Sequence, residues 1–126
     1  MPGNFTVGPH AGISETTQHT ADAIAGGKSP ILTRGVNGSP PGWYNKFPPC
    51  LGRPLGTSCD EYPYMSTVEG GVGASLSVVE PAFQNKQGGD LSAFYGFAGC
   101  NVQVGTKYGV IPVTIPFMPT ARICSP

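Results

Sequence analysis

The chain has 126 residues, enough for one domain whose fold hides roughly two-thirds of the surface exposed by its unfolded form. Seven Lys plus Arg balance seven Asp plus Glu, which excludes the broad basic face of a tight nucleic-acid binder. An enzyme that must release its product needs no such face. No apolar run approaches the ~20 residues that span a bilayer, so no membrane partner is expected.

Gly and Pro, at 19 and 14 residues, make up about a quarter of the chain. They are interleaved with apolar and aromatic runs and show no repeat, which points to a folded, loop-rich domain rather than low complexity. Four cysteines without a C-x-x-C pair suggest two disulfides and an oxidising, extracellular compartment. Of the three possible pairings, Cys50–Cys59 with Cys100–Cys124 is favoured because it closes two short loops. Two sequons, Asn4-Phe5-Thr6 and Asn37-Gly38-Ser39, agree weakly with secretion, and Pro40 counts against the second. The first segment lacks a charged and apolar leader, so any secretion signal is expected to have been removed.

In chain order, residues 1–12 read as a loose arm and residues 13–126 as the working domain. From Ser14 to Gly27 one helix is expected, with Ser14 as N-cap, Glu15 at the positive end and Gly26-Gly27 as the stop. Its inner face would carry Ile13, Thr17, Ala21 and Ile24. Ile31 to Arg34 suits a short strand. Residues 35–58 form a long irregular excursion, ordered if Cys50 and Cys59 are bridged. Ala74 to Glu80 alternates as a strand. A second helix should begin between Asn85 and Asp90 and run to about Phe97, its stripe being Leu91, Phe94, Tyr95 and Ala98. Beyond Cys100 two or three short strands are expected, at least one at a sheet edge because of its prolines. The class is α+β: two main helices, a short antiparallel sheet and long Gly/Pro loops stapled by disulfides.

Three of the seven acidic residues lie within ten positions, Asp60, Glu61 and Glu69 in CDEYPYMSTVEGG. Crowded carboxylates raise one another's pKa unless a cation is present, and oxygen-rich sites suit Mg²⁺, Mn²⁺ or Ca²⁺. The same triplet also fits a solvated acidic turn.

This run, followed by a strand and then QNKQGG-x-LSAFY, resembles the small extracellular deoxyribonucleases of the NucA/NucB type. The hallmarks are Asp60-Glu61-Tyr62-Pro63, Glu69-Gly70-Gly71 nine residues after the Asp, and Asn85 at the start of the next helix. Upstream, SETTQHTADAIAGG resembles the family's E-T-x-x-H-I-x-x-A-I-x-x-G stretch, with Thr20 where Ile is usual. The resemblance covers roughly residues 13–97 and implies a ββα-metal core in which two strands and a helix hold one divalent ion, Mg or Mn, with Ca also compatible. It further implies Asp60 as the general base, Asn85 as a metal ligand, and Glu61 and Glu69 ligating or orienting metal-bound water. His19 would lie near the phosphate.

Each candidate also has a plainer use. His19 could be structural, and Asn85 only a helix cap. Arg34, Lys86 and Gln87 are candidate substrate contacts, although a lone Arg or Lys is often simply solvated. Trp43, Tyr44 and Phe47 could stack on bases or pack beneath their own loop. Of Tyr62 and Tyr64, flanking Pro63, one should point inward and the other toward the site. The expectation is a secreted, monomeric, metal-dependent DNA endonuclease with little sequence preference and no obligate protein partner. The alternatives are a non-enzymatic Ca²⁺- or carbohydrate-binding module and a toxin domain from a larger polypeptide.

Overall fold

The computed structural model describes residues 3–7, 15–113 and 122–124. In chain order the elements are β1 (Gly3–Val7), α1 (Glu15–Ala25), β2 (Ile31–Thr33), a 3-10 turn (Trp43–Lys46), β3 (Ser58–Tyr62), β4 (Ser75–Val79), α2 (Pro81–Tyr95), β5 (Lys107–Pro112) and β6 (Arg122–Cys124). The strands form a four-stranded sheet of order β2-β5-β1-β6 and a two-stranded antiparallel sheet of β3 with β4. The class is α+β, and every strand pair is antiparallel except β1 with β5.

The segment read as a loose arm instead contains β1, an inner strand of the larger sheet. Phe5, 1% exposed, packs against Phe94 and Tyr64, with ring centroids 5.3 and 6.1 Å away. Its partners β5 and β6 lie a hundred residues or more downstream, so local pattern could not reveal them. Ile13, the Ser14 cap and the Asn4 side chain lie outside the described residues.

α1 ends as expected. Lys28 N–H donates to Ala23 and Gly27 N–H to Ile24, closing the turn with Gly27 at φ 110°, where a side chain would be strained. Its inner face is rotated from the expected one: Thr16, Thr17, His19, Thr20 and Ala23 are buried, whereas Ala21 and Ile24 are only half-buried. α2 begins earlier than expected. Pro81 opens it, a position where the missing N–H costs nothing. Asn85 therefore sits inside the helix rather than at its cap.

Leu32, Tyr62, Phe94, Val102, Tyr108 and Val110 fill the core between the sheets and the helices. The disulfides are Cys50–Cys59 and Cys100–Cys124. The first orders the Gly/Pro excursion beside β3; the second ties the end of α2's turn to edge strand β6. Trp43 is buried against Tyr44 and Phe47, at 6.2 and 5.6 Å, so this loop packs its aromatics beneath itself. Asn37 is likewise enlisted by the fold, its Nδ2 donating to the carbonyls of Met65 and Thr67. That nitrogen is the atom a glycan would need. No helix among the described residues is long and apolar enough to cross a membrane.

Candidate active site

Among the described residues β3 pairs with β4 along one edge, and α2 packs against it as well. Gln84 Nε2 crosses from the helix to donate to the Cys59 carbonyl at 3.1 Å. Between β3, the following turn and α2 lies a cavity of about 290 Å³. Its wall includes Asp60, Glu61, Tyr64, Gln84, Gln87 and Tyr95. On α2, the residues Gln84, Gln87, Gly88, Leu91, Ser92 and Tyr95 that line it share one face by helical spacing.

Asp60 is 1% exposed, and its carboxylate is held by a side chain and a backbone N–H. His19 Nδ1 of α1 lies 2.7 Å from Asp60 Oδ2, and His19 Nε2 lies 2.9 Å from Ser75 Oγ of β4. The Glu61 backbone N–H donates to the same carboxylate. With Asp60 ionised, His19 Nδ1–H donates to Oδ2, and the Ser75 hydroxyl anchors the other ring nitrogen. Burial raises the Asp60 pKa above the usual carboxylate range, against the lowering influences of the His19 hydrogen bond, the His19 charge and the Glu61 N–H. Burial, rather than crowding by Glu61 and Glu69, is thus what makes this carboxylate more basic.

Glu61 is also buried, and its Oε2 has no hydrogen-bond partner. Burial raises its pKa, the Trp43 indole N–H beside it opposes this, and the charge of Asp60 raises it further. The Trp43 indole N–H is thus near enough to ease the burial of this carboxylate without forming a well-aligned hydrogen bond to it.

The other expected residues divide sharply. His19, Asp60, Glu61 and Gln87 gather at or directly behind the cavity. Glu69 does not: its two oxygens accept from Thr33 N–H at 2.7 Å and Thr33 Oγ1 at 2.8 Å, latching the turn onto β2. Asn85 is exposed and absent from the cavity wall, a consequence of α2 starting at Pro81. Lys86 is exposed and paired with Asp90 across one helical turn at 2.9 Å. Arg34 lies over the Tyr95 ring, 4.8 Å from its centroid, and donates to the Val102 carbonyl, bracing the wall from behind. Tyr62 and Tyr64 are both buried; Tyr62 donates to the Ser29 carbonyl, while Tyr64 faces the cavity. Among the described residues, no three His, Cys, Asp or Glu side chains are grouped to hold a metal.

A family model described as Deoxyribonuclease NucA/NucB matches residues 33–111, well over half of the chain. The chain belongs to the NucA/NucB deoxyribonuclease family. It is accordingly a nuclease, and the family's substrate is DNA. No curated protein matches the chain. The match begins in β2, so α1 and its His19 lie upstream of it.

Within the family region, the Glu69-Gly70-Gly71 motif has a structural explanation. A Cβ on Gly70 would stand 2.2 Å from the Tyr64 carbonyl oxygen, and one on Gly71 would meet Ser39 Oγ at 2.3 Å and Asn37 Oδ1 at 2.6 Å. The motif packs the acidic turn against Tyr64 and the Asn37 loop, with Glu69 as its fastener. Ser75 and Gln84 carry site contacts that sequence reasoning did not assign. For Gln84 a signal existed: the stripe from Leu91 and Tyr95, continued backwards by seven and eleven positions, arrives at it.

Proposed function

We propose that the protein is a secreted endonuclease that hydrolyses DNA phosphodiesters with little sequence preference, aided by one divalent cation, Mg²⁺ or Mn²⁺. The observation that carries this is the buried Asp60 carboxylate, oriented by His19 2.7 Å away and opening onto a cavity walled by a second carboxylate.

Asp60 is the general base. Its raised affinity for protons suits it to accept one from an attacking water, and proton transfer of this kind contributes about 10²–10⁴ in rate. His19 holds Oδ2 in place and leaves the remaining lone pairs for water, while Ser75 fixes the far side of the ring. The cavity side chains are chemically suited to a hard cation, because two carboxyl groups and the Gln84 amide line it. A cation held by Glu61 would supply Lewis-acid stabilisation of charge on the phosphate. Asp60 takes the proton of the attacking water, whose oxygen bonds to phosphorus as the bond to the leaving oxygen breaks; Glu61 would hold the cation, and Tyr64 and Tyr95 form part of the wall. The few basic residues fit contact with the DNA backbone without reading of bases.

Secretion is supported by the two disulfides, which persist in oxidising compartments. Nicking of supercoiled plasmid that needs Mg²⁺ or Mn²⁺ and stops in excess EDTA is the expected behaviour. Full activity in excess EDTA removes the cation from the reaction.

A further inference from the structure

We infer that Gln84, not Asn85, presents the amide oxygen that joins Glu61 in holding the cation, and that Gln87 donates to the phosphate beside it. This rests on the nuclease reading above and names the groups of that same cavity.

Three buried polar atoms of residues that line it have no hydrogen-bond partner: Glu61 Oε2, Gln84 Oε1 and Gln87 Nε2. Two are acceptors and one is a donor. Glu61 and Gln87 are each only 8% exposed, so water outside the cavity does not serve them. A buried polar group without a partner is costly, and three around one cavity call for a ligand with both a positive and a hydrogen-bond-accepting part. A divalent cation bound to a phosphate is such a ligand.

The orientation of Gln84 is fixed by its neighbour. Its Nε2 donates to the Cys59 carbonyl, and reversing the amide would set two oxygens against each other. Oε1 is therefore the atom left unpaired, a hard neutral oxygen of the kind Mg²⁺ and Mn²⁺ accept. Cys59 is in turn anchored by its bridge to Cys50. Gln87, one turn further along the same face, has a buried Nε2 without an acceptor. Asn85, on the exposed side of α2, meets none of these conditions.

The test is calorimetric titration of metal-free protein with Mn²⁺, with thermal melts confirming that each variant is folded. Gln84→Leu and Glu61→Gln should each weaken binding at least tenfold. Gln84→Glu, which keeps an oxygen there, should bind Mn²⁺ as tightly as wild type or more so. Asn85→Ala should stay within twofold. Gln87→Leu should leave Mn²⁺ affinity within threefold but raise KM for DNA at least fivefold. Wild-type affinity in Gln84→Leu, or loss of binding in Asn85→Ala, overturns the assignment while leaving the nuclease reading intact. A wild-type protein that binds no Mn²⁺ yet cuts DNA overturns the cation site itself.

Discussion

His19 and Asp60, forty-one positions apart, form a buried pair with Nδ1 and Oδ2 2.7 Å from one another. This contact joins α1, which lies outside the family match, to the DEYP strand inside it. Replacing His19 with Ala leaves the Asp60 carboxylate buried with less support, at a cost of roughly 1–3 kcal/mol. Cleavage should fall about 100-fold, mainly in kcat, as expected for loss of base orientation. His19→Asn offers an N–H where Nδ1 stood and should recover part of that loss. Steady-state kinetics with melting curves on both variants separates the two effects.

Glu61 should make the metal-free protein less stable than it needs to be. Burial raises its folded pKa above the unfolded value, so its stabilising contribution is full below the unfolded pKa and is lost as pH rises through the folded one. In EDTA, Glu61→Gln should therefore melt about 3–6 °C above wild type at pH 7, a shift worth roughly 1 kcal/mol in a domain of this size. The gap should close below about pH 4, where the free carboxyl is protonated in both states. Saturating Mn²⁺ should reverse the order.

Glu69 and Gly70 belong to the family motif but act on the fold. Glu69→Ala removes both contacts to Thr33 and should lower stability by about 1–2 kcal/mol, with kcat at a temperature well below the melt changed by less than fivefold. Gly70→Ala forces a carbon against the Tyr64 carbonyl and should yield little folded protein. Gly89→Ala meets nothing within 4 Å in the helix and should add about 0.5–1 kcal/mol. Denaturant melts compare all three.

Much of this was legible beforehand because the signals are local. Ile31–Thr33 and Ser75–Val79 carry strand patterns, Gly27 stops α1, and the short-loop logic for the cysteines matches both disulfides. What was missed depends on distant partners or helix phase. β1 exists because β5 and β6 flank it, which no feature of GNFTV announces. The expected position of Asn85 at the helix start differs by phase: once Pro81 opens α2, residues 84 and 87 turn inward and 85 turns out. Glu69 lies near Asp60 in sequence, but strand and turn carry its oxygens to Thr33 instead.

The disulfides should contribute unequally to function. Chain-entropy arguments give about 3 kcal/mol for each bridge. Only Cys59 adjoins Asp60 and receives the Gln84 contact. Cys50→Ala/Cys59→Ala should thus lose activity even at temperatures where it remains folded, whereas Cys100→Ala/Cys124→Ala should lose mainly thermal stability. Activity measured across temperature, alongside circular dichroism, distinguishes them.

The most direct measurement is single-turnover plasmid nicking by Asp60→Asn in saturating Mn²⁺, across pH 5 to 9. An amide keeps the shape and the His19 contact but accepts no proton from water, so the rate should fall at least 100-fold at every pH while the protein remains folded. Cleavage at the wild-type rate by that variant would contradict the assignment of Asp60 as the proton acceptor.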